Sequence, residues 1–392
     1  MEKTIREYCR DALEETVRRR RYIHAHPETG MEVAETAAYV CAELDAMGIS
    51  YRKCGDIGVI AEIKGEKAES AAVVMLRADM DALAQEEKTG LPFASEIPGR
   101  MHACGHDFHT SMLLGSVSVL NRLKKEFAGT VRFIFQPGEE IGEGAVFMNE
   151  HGAMEGVDMG LGIHVDPLAP AGVLLCRRGE DWAAVDHFYI TIKGVGAHGA
   201  TPQDGCDAVV AAGAVVGALQ SVASRECDPM KPMVLTIGMI HGGSAFNIIC
   251  DEVKLEGTVR SFDQKTYDMI PEAMERIVKN VSAAYRCEGS LRYDRKIKPL
   301  VNNDEAYDML KGAALKVLDK PENWQEAKMA MIGEDFSEYC SYAPCVFAHL
   351  GADGGYPLHS PYVNFSEDAL EYGIAAEVQF ALDALEKYSA EK

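Results

Sequence analysis

The chain has 392 residues, 47% hydrophobic and 26% charged, a globular composition with enough length for two cores. Its formal net charge of -22 opposes phosphate backbones and anionic lipid surfaces, which excludes nucleic-acid and membrane-surface partners as starting hypotheses. Eleven cysteines, odd in number and without a Cys-x-x-Cys pair, fit reduced thiols in a cytoplasm better than a disulfide framework.

The N-terminus carries Glu2, Lys3, Arg6, Glu15 and the basic run 18–21, without the apolar core of a secretory signal. Apolar spacing predicts a helix over 31–47 that stops at Gly48, a strand over 71–76, a helix over 108–123 and strands over 130–135, 159–164 and 173–176. Such alternation implies a mostly parallel sheet covered by helices. Beyond Gly179 the pattern changes to strands at 188–192, 233–240 and 253–259 with helices at 207–221 and 267–285, and helices at 305–318 and 366–385 then resume the first style. The apolar stretch 207–219 is shorter than the roughly 18 residues of a membrane span. The expected fold is an α/β catalytic domain, mostly parallel sheet flanked by helices, in two segments, 1–181 and 296–392. Between them, 182–295 forms a smaller inserted α+β domain of ferredoxin-like style.

The densest chemical cluster is His102-Ala103-Cys104-Gly105-His106-Asp107-Phe108-His109, three imidazoles, a thiol and a carboxylate in eight positions. Cys and His two apart with acidic neighbours favour a metal site over isolated structural histidines. Gln136-Pro137-Gly138-Glu139-Glu140 follows the strand at 130–135, so paired carboxylates emerge where open α/β sheets build their sites. Alone it reads as a solvated acidic loop; in context one carboxylate can bind metal while the other stays free as a base. Gly162-Ile163-His164 closes another strand, Leu358-His359-Ser360-Pro361 follows a glycine-rich loop, and Asp79 and Asp81 follow the strand at 71–76. Separate segments of the chain thus deliver ligand-type residues to strand ends or loops.

HACGHD, PGEE, GIH and LHSP in this order, with the early HAHPETG, RADMDAL and the later HGGSAFN, resemble the aminoacylase and carboxypeptidase metallohydrolases over nearly the whole chain. The branch most resembled is the amidohydrolases that include hippurate hydrolase and auxin-conjugate hydrolases. The resemblance implies metal ligands at Cys104, His106, Glu140, His164 and His359 for two divalent ions, Zn, Mn, Co or Ni, and a catalytic base at Glu139. The wider family begins its ligand motif with His-x-Asp, and here Asp79-Met80-Asp81 stands in its place. The branch makes that substitution and supplies Cys104 instead, so Asp81 is expected to orient a ligand from behind and Asp79 has no assigned role.

The resemblance further implies that His198, in Gly194-Val195-Gly196-Ala197-His198-Gly199, supports the developing oxyanion from the partner subunit of a homodimer joined through the inserted domain. It also points to Asn247 and Arg260 for the substrate carboxylate, for which Arg suits bidentate binding. A dinucleotide-binding reading of the same glycine pattern fails, because Pro202 and Asp204 interrupt the required helix. The expected reaction is hydrolysis of the amide of an N-acyl amino acid or a similar small conjugate. A dipeptidase, a carboxypeptidase or an N-acetyl-diamino acid deacetylase would share the same metal chemistry. A metal-storage protein would leave Glu139 without a task.

Overall fold

The computed structural model describes residues 3–391, so Met1, Glu2 and Lys392, which the expected segments include, lie outside it. The chain forms two compact units. One comprises the chain through Gly179, Asn302–Lys328 and the chain from Asp335; the other comprises Glu180–Val301 and Met329–Glu334. The crossings at Gly179/Glu180 and Val301/Asn302 differ by a few residues from those expected, and the short return of 329–334 carries no signal in the sequence.

The first unit opens with α1 (Ile5–Ala25), which the sequence reading did not predict. Its signal was a capping box, Thr4 accepting from the Glu7 N–H while Glu7 accepts from Thr4. After α2 (Ala34–Ala46) come β1 (Ser50–Cys54), β2 (Gly58–Lys64), β3 (Val73–Asp79), α3 (His106–Arg122), β4 (Thr130–Gln136), α4 (Gly144–Glu150), β5 (Met159–Asp166) and β6 (Leu174–Cys176). The chain leaves through β7 (Gly179–Glu180).

The inserted unit contains β8 (Val185–Lys193), β9 (Ala197–His198), α5 (Ala208–Ser221), β10 (Met233–Gly242), β11 (Ile248–Ile249), β12 (Glu252–Ser261), α6 (Gln264–Ala284) and β13 (Glu288–Ile297). Beyond β14 (Val301–Asn302), which pairs with β7, the chain adds α7 (Asp304–Val317), β15 (Trp324–Glu326), β16 (Cys345–Gly351) and α8 (Ala369–Glu391) to the first unit.

The large sheet runs β1-β2-β4-β3-β5-β16-β6-β15, and its centre, β4-β3-β5-β16, is parallel throughout. Helices cover both faces, which is why the central strands read as unbroken apolar runs rather than alternating ones. Leu76, Phe133, Leu161 and Phe347 are fully or almost fully buried, each contributing roughly 1.5–3 kcal/mol by burial. Strands β4 and β5 lie on opposite sides of β3, so the connections diverge at the carboxyl end of β3, where such folds open a crevice.

The inserted unit has an antiparallel sheet, β10-β12-β8-β13. Phe188, Ile190 and Ile192 alternate inward from β8 to meet Ala211, Val215 and Leu219 of α5 and Ile270 and Met274 of α6. Helix α5 continues into a π turn, Val222–Glu226, so 19 residues are long and apolar enough to cross a membrane by length and composition. The helical run is therefore longer than the apolar stretch read at 207–219, and a core helix meets the same length and composition. Its buried face packs into the core of this unit.

Candidate metal centre

The carboxyl ends of β3, β4, β5 and β16 bring the expected ligand segments together. Gly105 caps α3 at φ +89, a left-handed conformation, and a Cβ there would come within 2.3 Å of Val165 Cγ2. This turn lets Cys104 and His106 face the same point. Gly138, at φ +64, likewise swings Glu139 and Glu140 back beneath β3, where Asp81 accepts both their backbone N–H groups at 3.0 and 3.2 Å.

Two triads result. Ligand atoms of Cys104, His106 and His164 lie within 4.8 Å of one another, and so do those of Cys104, Glu140 and His359. Cys104 belongs to both. Its Sγ is 3.4 Å from His164 Nε2, while Glu140 Oε1 lies 3.7 Å from His359 Nε2 and 3.9 Å from His106 Nε2. His359 takes part from a strained backbone, φ +64, that a non-glycine residue rarely adopts.

The orientation of the imidazoles is fixed from behind. His164 Nδ1 donates to the Val165 carbonyl at 2.8 Å, leaving the Nε2 lone pair toward Cys104. His109 is occupied at both nitrogens, donating to Asp79 Oδ1 at 2.6 Å and accepting from the Val165 N–H at 2.9 Å, and so is a support rather than a free donor. Asp79, unassigned by sequence, accepts from His109 and from Arg77 at 2.7 Å. Against its burial, His106, Arg77 and His109 hold its carboxyl well below the usual range.

The donor set fits a cation. Among the described residues, His106 Nδ1, His106 Nε2 and Glu140 Oε1 are buried without a hydrogen-bond partner, an expensive arrangement in a dry interior. The nearest group to His106 Nδ1 among the carboxylates, Asp81 Oδ1, stands off at 3.5 Å. Burial, with Glu140, Glu139 and Asp79 adding to it, pushes the Cys104 thiol well above its ordinary range. A positive charge would reverse that, since thiolate, imidazole and carboxylate together suit a borderline divalent ion.

Glu139 is almost fully buried beside the triads, its Oε2 3.9 Å from His106 Nε2. His102, the third imidazole of the sequence cluster, is in neither triad. It is buried 6.2 Å from the His24 ring, where burial pulls it down to about 3 and keeps it neutral. His24, from HAHPETG, bonds Asp107 at 2.9 Å, which Arg20 also reaches.

Within the inserted unit, β9 pairs with β11, setting His198 opposite Ile248 and bonding the Gly199 N–H to the Asn247 carbonyl at 2.7 Å. His198 is exposed, and its Nδ1 accepts from the Ala200 N–H at 3.0 Å, which assigns the remaining proton to Nε2. Arg260 sits near the end of β12, donating to Thr258 Oγ1 and the Val259 carbonyl, within electrostatic reach of Asp186. Sequence reasoning missed Arg77, Gln136, Asp335 and Tyr339, a buried polar cluster next to Glu139. Arg77 was visible as a basic residue near the end of an otherwise apolar strand.

Residues 75–383 match the family model described as peptidase family M20/M25/M40. N-acetyl-L-cysteine deacetylase of Bacillus subtilis is 38% identical, over 90% of this chain and 83% of its own. IAA-amino acid hydrolase ILR1-like 4 of Arabidopsis thaliana is 36% identical over 92% and 84%. A solved Bacillus subtilis structure, described as a dinuclear metal binding peptidase from the M20 family, superposes with a TM-score of 0.85 at 33% identity, covering 96% of this chain and 99% of that one.

Proposed function

The chain belongs to the peptidase family M20/M25/M40, and from that premise we propose that it hydrolyses the amide of N-acyl amino acids or related small conjugates. The observation that carries this reading is two donor triads sharing Cys104, with a further carboxylate, Glu139, beside them and in neither. Cys104, His106 and His164 would hold one divalent ion and Cys104, Glu140 and His359 a second. Such a pair would lower the pKa of a water and polarise the scissile carbonyl.

Glu139 takes the proton of the attacking water as its oxygen bonds to the carbonyl carbon. The same proton then passes to the amide nitrogen as the C–N bond breaks, because an amide anion is too basic to leave. The products are a carboxylic acid and an amino acid. Asp81 serves this chemistry by holding the Glu139-Glu140 turn through its two backbone N–H groups.

A homodimer completes the site. Asn247 and His198 lie beyond one end of β12, while Arg260 lies near the other, eight residues or roughly 25 Å along the strand from Glu252. One copy therefore does not present all three to one small substrate. His198, with its Nε2–H outward, and Asn247 of one copy would act with Arg260 of the other, the histidine supporting the oxyanion and Arg260 binding the α-carboxylate. The edge strand β10 supports pairing between copies: it exposes Val234, Met239 and Ile240, beside exposed Val209 and Val210 of α5. An odd number of cysteines without a Cys-x-x-Cys pair supports a cytoplasmic enzyme.

A panel of N-acyl amino acids, dipeptides and N-acetyl-diamino acids, assayed with metal analysis, tests the reaction. Glu139→Gln is expected to keep its metal and lose about 10²–10⁴-fold in kcat. Wild-type turnover by that variant would remove the proposal.

A further inference from the structure

Behind Glu139 lies a buried cluster that the mechanism above does not use. Asp335 is the first residue of the catalytic unit after the return of 329–334. Its carboxylate accepts from Arg77 Nη2 at 2.8 Å, from Gln136 Nε2 across both oxygens at 2.8 and 2.9 Å, and from the Ala145 N–H at 2.9 Å. Arg77 also donates to Gln136 Oε1 at 2.8 Å and to Asp79, and the Tyr339 hydroxyl donates to the same Gln136 oxygen at 2.9 Å. Strands β3 and β4, helix α4 and the 3-10 turn that Asp335 opens are thus tied to one carboxylate.

The backbone N–H of Asp335 points at Glu139 Oε1, 3.4 Å away, while the other oxygen, Oε2, faces His106 Nε2 at 3.9 Å. The first distance is long for an N–H···O bond, and such bonds in substrate-free sites commonly tighten when substrate arrives. Buried ion pairs are weak contributors to stability, so a charged cluster is a costly way merely to hold a turn. It is a good way to hold one pose.

We infer that Asp335 is a positioning residue: its clamped carboxylate fixes its own N–H against Glu139 Oε1, which selects Oε2 to face the reacting water. This rests on the reading of Glu139 as the base. Arg77 and Gln136 hold the clamp, and Tyr339 holds Gln136.

The test is Asp335→Asn, with Tyr339→Phe as a milder second variant that removes one hydroxyl. Whichever way the Asn amide turns, its NH₂ meets a donor, either Arg77 or the Ala145 N–H, and the turn must shift. Misplacement by about 1 Å costs on the order of 10²-fold. The expected result for Asp335→Asn is a loss of that size in kcat on an N-acyl amino acid, with KM and metal content by mass spectrometry as in wild type, and a smaller kcat loss in Tyr339→Phe. Placed in the Glu139→Gln background, Asp335→Asn is expected to add no further loss, because the group it positions is gone.

Unchanged kcat in both variants, loss of metal alongside activity, or an equal further loss in the Glu139→Gln background would each overturn the inference. If Asp335→Asn does not fold, Tyr339→Phe with and without Glu139→Gln decides by the same criteria. An inactive wild type, or an active Glu139→Gln, instead overturns the amidohydrolase reading and this role together.

Discussion

Glu377 is a carboxyl group sealed in the catalytic unit between α8 and α3, and its charge should make the protein's stability fall with rising pH. It is fully buried, receives one hydrogen bond from the Ser116 hydroxyl at 2.5 Å, and burial pushes it up from 4.5 to about 8 against that bond. Cys9 of α1 is also buried and is pushed up to about 12, so it stays neutral across the same window. Because the folded state holds the proton more tightly than the unfolded chain, the advantage is complete below pH 4.5. It is lost as pH rises toward 8, at about 1.4 kcal/mol per pH unit.

The full loss above pH 8 is about 5 kcal/mol, an upper value because local opening can admit water to the charge. Glu377→Gln keeps the shape and an acceptor for Ser116 but has no proton to lose. Urea unfolding at pH 5 should find the two proteins within about 1 kcal/mol. At pH 9 the variant should be more stable by about 2–5 kcal/mol, with an unchanged m value. Equal stability at pH 9, or a variant weaker there than wild type, would show that Glu377 is not the neutral buried acid argued from its surroundings.

Three further outcomes follow from the site. Cys104→Ala should lower metal content from about two ions per chain toward none, because the thiol is in both triads, whereas His164→Ala should retain about one; elemental analysis of dialysed protein reads this. Mixing inactive His198→Ala with inactive Glu139→Gln chains should restore activity in heterodimers, and no recovery in proven heterodimers refutes the shared site. Arg260→Ala should raise KM about 10- to 100-fold for substrates with a free α-carboxylate and have little effect on their methyl esters, as steady-state kinetics would show.

The candidate ligand segments were legible because each is a short motif: HACGHD where α3 begins, PGEE after β4, GIH within β5, LHSP in the loop beyond β16. Local chemistry in such motifs is visible without knowing which strands are neighbours. Helix α1 was hidden behind its charged face, although Thr4 and Glu7 marked its start, and β16, although at the sheet's centre, lay in a stretch read only for its loop histidine.

By itself the sequence pointed to the candidate ligand types, to Glu139 beside them, to the family resemblance and to the interruption of one domain by another, since these depend on residue identity and local order. Only the tertiary structure decided that Cys104 is common to two triads and that His102 stands apart from both. It alone showed that His109 and Asp79 are already engaged by Val165 and Arg77. The sharing requires the ends of β4, β5 and β16 to converge on the turn before α3, and the polar clamp on Asp335 joins residues 258 positions apart. Strand order in a parallel sheet sets both, and no local sequence pattern encodes which strands become neighbours.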